Sequence, residues 1–214
     1  MPTIYLLRHG QASFGSDDYD VLSELGVHQA RIAGGELARR GLRTPVVVSG
    51  TLRRQQDTAE LASGQFAAEL EATDARWNEF DAHALVEEHL GQPGASTGMT
   101  SLTFQEHLDE ATQRWMATPG TGWHAFADDA HAALVDLCAT VPRGCDAVVA
   151  TSAGVIAALV TRVLDAPAET SIALNRVSVN ASLTVIAAGS RRMSVISFND
   201  HAHLLGEPGL LTYR

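Results

Sequence analysis

Ile4-Tyr5-Leu6-Leu7-Arg8-His9-Gly10 is the stretch whose reading decides the fold. A short apolar run, Ile4 to Leu7, stops abruptly at a cation, an imidazole and a glycine. Such a run beside a glycine reads as a buried strand leading into a loop. The strand delivers Arg8 and His9 to its C-terminal end, the edge of an open α/β sheet where ligands bind. Gly10 lets the backbone approach a ligand closely. The trio suits an anion such as phosphate. Arg8 offers a fork of N–H donors, and His9 a nucleophile, base or donor. A plain strand end with an exposed polar pair fits the same three residues, so the rest of the chain has to decide.

Outward from this strand, extended and helical patterns alternate. After a polar loop, Gln11 to Asp20, a helix runs from about Val27 to Arg40, with Val27, Ala30, Ala33 and Leu37 at helical spacing and Gly41 as its stop. Val46 to Val48 is a second strand, cut off by Ser49-Gly50. A helix from Leu52 to Phe66 follows, then a short strand from Thr73 to Trp77. From Phe80 to about Gly122 the pattern loosens around a loop at Gly91 to Gly98 and one helix, Leu102 to Met116. This section reads as a helical insertion that caps a site. A helix from Trp123 to Val141, a strand from Asp146 to Thr151, a turn at Ser152-Ala153-Gly154 and a helix from Val155 to Leu164 come next. Pro167 opens a short helical piece. Ser182 to Ala188 and Met193 to Phe198 form a hairpin across Gly189-Ser190, and the tail, Asn199 to Leu204, is polar and irregular. The alternation predicts one α/β domain over residues 1–214. It is a three-layer α/β/α sandwich whose mainly parallel sheet has one antiparallel edge strand.

Composition narrows the function. Apolar residues make up 45% of the 214, enough for a sizeable core. The net charge is −10, and all fifteen basic residues are arginine. An acidic surface argues against nucleic acid or anionic membrane as partner, and a small phosphorylated substrate would need arginines gathered locally. The first apolar run is too short for a signal peptide, and no stretch approaches the ~18 residues of a membrane span. Cys138 and Cys145 form no ligand pattern and read as reduced thiols of a cytoplasmic protein. The nine histidines include no H-E-x-x-H or comparable spacing, so neither metal nor cofactor is expected. The dense cluster Asn199-Asp200-His201-Ala202-His203 reads as a tail that helps close the site. The sequence leaves a homodimer open.

Three strand ends present polar residues: Arg8 and His9, Ser49 to Arg54, and Thr151 to Gly154. At the second and third a helix begins at once, and helix N-termini attract anions. Arg53 and Arg54 fall in such a first turn, where positive charge is unfavourable and a bound anion would offset it.

Taken together, these pieces resemble the histidine phosphatase superfamily, the phosphoglycerate-mutase-like phosphohistidine enzymes. Arg8-His9-Gly10 resembles its nucleophile motif. Leu22-Ser23-Glu24-Leu25-Gly26-Val27-His28-Gln29-Ala30 resembles its L-T/S-x-x-G-x-x-Q-A helix opening. Ser49 to Arg54, followed by Asp57-Thr58-Ala59, resembles its S-x-L-x-R-A-x-Q-T-A segment, and Trp77-Asn78-Glu79 the segment carrying its acid. Asn180-Ala181-Ser182 and Asn199 to Leu204 resemble its late landmarks. The resemblance implies His9 as nucleophile, Arg8 and Arg54 as phosphate ligands, Arg53 as a variable neighbour and Glu79 as proton donor. Asp81, His83 and Glu87 lie close enough in sequence to replace Glu79. In such enzymes the neutral imidazole attacks phosphorus, the acid protonates the leaving oxygen, and water releases phosphate.

Two positions depart from the family pattern. Ala150-Thr151-Ser152-Ala153-Gly154 matches a V-S-H-G-G motif with Ser152 in place of the second histidine, and Gly15 replaces a frequent asparagine. Ser152 and the backbone at Ala153 are then left to complete the phosphate pocket. Losing one strong oxyanion donor costs on the order of 10²–10³ in rate, which speaks against phosphoglycerate mutase activity in particular. His201 or His203 is a candidate replacement. Two rival readings follow from the same segment. One is a serine hydrolase whose nucleophile elbow is Ser152, followed by Asp165 or Asp200 and His203. The other is a phosphate-binding module without turnover.

Overall fold

The computed structural model describes residues 2–13, 20–118, 122–189 and 192–213. A six-stranded sheet carries the order β3-β2-β4-β1-β5-β6. The strands are β1 (Thr3–Arg8), β2 (Val46–Ser49), β3 (Leu70–Thr73), β4 (Ala147–Thr151), β5 (Leu183–Ala188) and β6 (Met193–Asp200). The helices are α1 (Glu24–Arg40), α2 (Arg53–Ser63), α3 (Ala82–Leu90), α4 (Ser101–Ala117), α5 (Gly122–Thr140), α6 (Ala153–Val163) and α7 (Thr170–Val177). β1, β4, β2 and β3 run parallel, while β5 is antiparallel to β1 and pairs with β6 as a hairpin, which makes this edge of the sheet antiparallel. The α/β sandwich read from the alternation is the observed architecture. β4 lies between β1 and β2, so the chain reverses direction in strand order beside β1, where open α/β sheets bind ligands.

The strand alternation sorts the core into two layers. Leu7, Val47, Val148 and Ala150 face Ala33 and Leu37 of α1 and Ala59 and Ala62 of α2. Ile4, Leu6, Val48, Ala147 and Val149 face Ala130 and Leu134 of α5 and Ile156 and Leu159 of α6. No helix among the described residues is long and apolar enough to cross a membrane.

Several boundaries differ from the expectation, each for a physical reason. α1 starts at Glu24 rather than near Val27, because Ser23 caps it by accepting the Gly26 N–H. β3 lies at Leu70–Thr73, and Ala75–Trp77 is a 3₁₀ turn capped by Asp74 instead of strand. β3 is a mostly exposed edge strand, so it carries no apolar alternation to read. α3 has one fully buried side chain, Val86, and was invisible for the same reason; it packs with Phe104 and Leu108 of α4. The tail is more ordered than expected. β6 continues to Asp200, and a 3₁₀ turn at Ala202–Leu204 buries Leu204 completely. Gly15 and the turn residue Ser190 lie outside the described residues.

Candidate active site

The C-terminal ends of β1 and β4 set the position of His9. Its N–H donates to Thr151 O (2.9 Å), and its carbonyl accepts from Ala181 N (3.3 Å) and Asn180 Nδ2 (3.2 Å). Ala181 adopts φ 56°, a left-handed conformation unusual for alanine, at one of these contacts. The next peptide is anchored by Gly10 N donating to Thr58 Oγ1 (3.1 Å) of α2. A Cβ on Gly10 would run into the backbone of Gly26, and one on Gly26 into Gln11. The strand end and the start of α1 can therefore touch only through glycines.

The imidazole is buried, and its Nδ1 donates to the Gly10 carbonyl at 2.8 Å. A carbonyl only accepts, so the proton sits on Nδ1 and the lone pair on Nε2. Arg54 Nε points at that lone pair from 3.3 Å. Burial, then the charges of Arg8 and Arg54, hold His9 well below the ordinary histidine value of 6.5, so the ring is neutral at physiological pH.

Arg54 lies in the first turn of α2. Its Nη1 donates to Asp20 Oδ1 (2.7 Å), and Asp20 also accepts the Arg53 N–H at 2.8 Å. Asp20 thereby occupies the N-terminus of α2 and pairs with the arginine beside His9. Arg53 turns outward, with Nε 3.7 Å from Asp57. Arg8 is buried next to His9, but its Nη1 and Nη2 donate to the carbonyls of Ser178 (2.6 Å) and Tyr213 (2.9 Å). Besides lending charge to the site, it ties β1 to the C-terminal segment.

Glu79 follows the 3₁₀ turn and reaches the N-terminus of α6. Its Oε2 accepts the Gly154 N–H at 2.9 Å and its Oε1 the Phe80 N–H at 3.2 Å. A Cβ on Gly154 would strike both Glu79 Oε1 and the Phe80 ring, so the carboxyl fits only against a glycine. Phe80 belongs to an aromatic cluster with Trp115 and Phe126 at centroid distances of 5.4 and 5.6 Å. Burial raises Glu79 above the ordinary glutamate value of 4.5, against the opposing pull of the Gly154 amide, Arg54 and Arg8.

The remaining expected residues separate. Ser152 is fully buried, and its Oγ accepts from Gln55 Nε2 at 2.8 Å. Gln55, also fully buried, donates further to Trp77 O (3.0 Å) and so locks the 3₁₀ turn, α2 and α6 together beneath the site. Ala153 is the first residue of α6. Asp81 caps α3 through Ala84 N (2.9 Å), while His83 (3.0 Å) and Glu87 (2.6 Å) both bond Ser96 Oγ, so none of the three stands where Glu79 does. His201 and His203, the candidate replacements for the second histidine, bond backbone carbonyls instead. His203 Nε2 donates to Ala181 O (3.0 Å), His201 Nδ1 to Asn199 O (2.6 Å), and Asp200 pairs with Arg40 (2.6 Å). These contacts, with Asp165 exposed in the turn after α6, also leave Ser152, among the described residues, without the histidine and aspartate that a hydrolase triad needs. Cys138 and Cys145 are free thiols.

Three contributors were missed in the sequence: Asp20, Gln55 and Asn180 as a ligand of the His9 carbonyl. Gln55 had a signal, since it adjoins Arg54 inside the helix motif. Asp20 had none, because it lies at the end of a polar loop and meets Arg54 only through the fold.

Solved structures share this architecture. The vanadate (VO3) complex of mycobacterial glucosyl-3-phosphoglycerate phosphatase is 24% identical, with a TM-score of 0.68 over 94% of this chain and 100% of that one. A phosphoglycerate mutase from Bacillus anthracis is 18% identical, with a TM-score of 0.62 over 94% of both chains. A phosphoserine phosphatase from Entamoeba histolytica, a mutant in complex with phosphoserine, is also 18% identical, with a TM-score of 0.62 over 96% of this chain and 100% of that one. At these identities the likeness speaks for the fold. The sequence profile of the histidine phosphatase superfamily (branch 1) matches residues 4–201, nearly the whole chain, and the protein belongs to that family.

Proposed function

We propose that the protein is a phosphatase that hydrolyses a small phosphomonoester through a phosphohistidine on His9. One observation carries this reading: a neutral imidazole presents an unprotonated Nε2 beside Arg54, while a neighbouring carboxyl, Glu79, is shifted towards its protonated form. A base shifted down and an acid shifted up can hold their working protonation states at the same pH.

In the first step His9 Nε2 forms a bond to phosphorus as the ester P–O bond breaks. Glu79 gives its proton to the departing oxygen. Water then attacks the phosphohistidine and yields its proton to the Glu79 carboxylate, which restores the acid, His9 and free phosphate. Arg54, the charge of Arg8 and the backbone at Ala153 stabilise the negative oxygens, and this supplies most of the acceleration in phosphoryl transfer. These groups need no metal ion. α3 and α4 act as a cap over the leaving group. In support, Leu108 and Met116 of α4 approach Gly154 and Phe80 around a cavity of ≈ 10 Å³, room for about one water.

A second reading is a phosphate binder with little turnover. It is favoured by the complete burial of Ser152, whose hydroxyl is already bonded to Gln55. Phosphate release from a panel of phosphomonoesters, with EDTA present, separates the two readings. Wild type should turn over and His9→Ala should be inactive with an unchanged circular dichroism spectrum. Equal activity in His9→Ala would end the phosphohistidine reading. Phosphate binding without turnover by wild type would favour the binder.

A further inference from the structure

Away from this site, α3 and α4 gather three side chains that share no sequence motif. His89 comes from the last turn of α3; His107 and Glu110 come from α4, three residues apart and so on one face. Each contributes one ligand atom, and the three atoms lie within 4.8 Å of one another. His89 Nε2 and a Glu110 carboxylate oxygen are 3.3 Å apart. Two ligands bound about 2.0–2.1 Å from a tetrahedral ion are separated by roughly 3.3–3.4 Å, so this pair already stands at a bridging distance. The third atom needs to close by at most about 1.5 Å, within reach of side-chain rotation on a helix surface. The His89 side chain is only 10% exposed, yet its Nδ1 has no hydrogen-bond partner among the described residues. Nε2 faces the Glu110 carboxylate and is therefore the nitrogen placed to bind an ion, which would displace the proton it shares with that carboxylate.

We propose that His89, His107 and Glu110 form a binding site for a divalent transition-metal ion, zinc foremost. Two imidazoles and one carboxylate suit zinc and its borderline neighbours and are unlike the all-oxygen sets of magnesium or calcium. A water completes the tetrahedron, and the ion clips the end of α3 to α4. The sequence had given no metal site, because His89 lies eighteen positions from His107 and only helix pairing brings them together. The site is distinct from His9, Arg54 and Glu79, and it does not rest on the function proposed for them.

The test is zinc titration of the full chain after chelator stripping, by calorimetry, with cobalt absorbance reporting four-coordinate geometry. Wild type should bind one zinc per chain and gain thermal stability from it. His107→Ala and Glu110→Gln should each weaken binding at least about tenfold and lose that gain, whereas His124→Ala, on the exposed side of α5, should match wild type. Glu110 is 67% exposed, so its variant folds and keeps the test decisive should His107→Ala not fold. A wild type without a saturable site, or variants that bind zinc as tightly, would overturn the proposal.

Discussion

The helices α2 and α6 both begin at the ligand-binding edge of the sheet, and each receives a carboxylate from another part of the chain. At α2 the visitor is Asp20, which accepts the Arg53 amide and pairs with the Arg54 guanidinium at 2.7 Å. At α6 it is Glu79, which accepts the Gly154 amide and lies against the ring of Phe80. Among the described residues Glu79 makes no ion pair within 4 Å, and burial outweighs the helix amide and the nearby arginines in setting its protonation. The same helix-terminus donor thus serves two ends. A directly paired carboxylate neutralises an arginine, whereas an enclosed one is shifted towards its protonated form. The contrast teaches that the surroundings, more than the helix dipole, assign the role.

The strongest way to break the comparison is Glu79→Gln. The general-acid role proposed for Glu79 predicts a loss of about 10²–10⁴ in rate on alkyl phosphates. In kcat/KM, which reports phosphorylation of His9 and not the later water attack, the loss should be much smaller on an aryl ester such as 4-nitrophenyl phosphate, whose oxygen leaves without a proton. Wild-type activity should fall on the acid side as His9 protonates, at a pH well below 6.5, and on the alkaline side as Glu79 loses its proton above a value raised from 4.5. The alkaline limb should vanish in Glu79→Gln. Equal losses in kcat/KM on alkyl and aryl esters would remove Glu79 from the acid role. A stability readout accompanies it. A carboxyl with a raised native value binds more protons folded than unfolded, so stability falls as pH rises from 4.5 through the raised value, and Glu79→Gln should flatten that slope.

Asp20→Asn sharpens the other half. If Asp20 competes with phosphate for Arg54 and the α2 amides, removing its charge should tighten inorganic phosphate by roughly three- to fivefold, about 0.6–1 kcal/mol for a partly exposed pair. Calorimetric titration at low salt measures this. Weaker phosphate binding would mean that Asp20 serves as a clamp orienting Arg54.

Ser152→Ala carries the smallest expected kinetic effect. The Ser152 hydroxyl supports Gln55, so its loss should cost about 1–2 kcal/mol of stability by leaving a buried amide hydrogen unpaired. Turnover should change less than tenfold. A larger fall in kcat with stability unchanged would make Ser152 a direct phosphate ligand.

Much of the site was legible because its parts are short and local. Arg8-His9-Gly10 ends a strand whose apolar pattern is plain, and Arg54 opens a helix directly after another. β3 and α3 were illegible because elements with few buried side chains leave little periodicity. Asp20, Gln55 and Asn180 escaped as parts of the site because each acts through a partner far away in sequence, such as Asp20 on Arg54 or Asn180 on His9.

Local sequence alone determined the alternation of strands and helices, hence the α/β sheet, and the residues at the strand ends, because period-two and helical patterning follow from backbone geometry. Tertiary structure alone decided which of those groups are charged and which are occupied. His9 is neutral because it is buried between two arginines, and Glu79 is raised because its carboxyl is enclosed at a helix end against an aromatic ring. Ser152 is committed to Gln55, and Arg8 lends its charge to the site while its Nη1 and Nη2 donate to two distant carbonyls. Desolvation and hydrogen-bond pairing depend on what the whole fold packs around an atom, and no run of neighbouring residues encodes that.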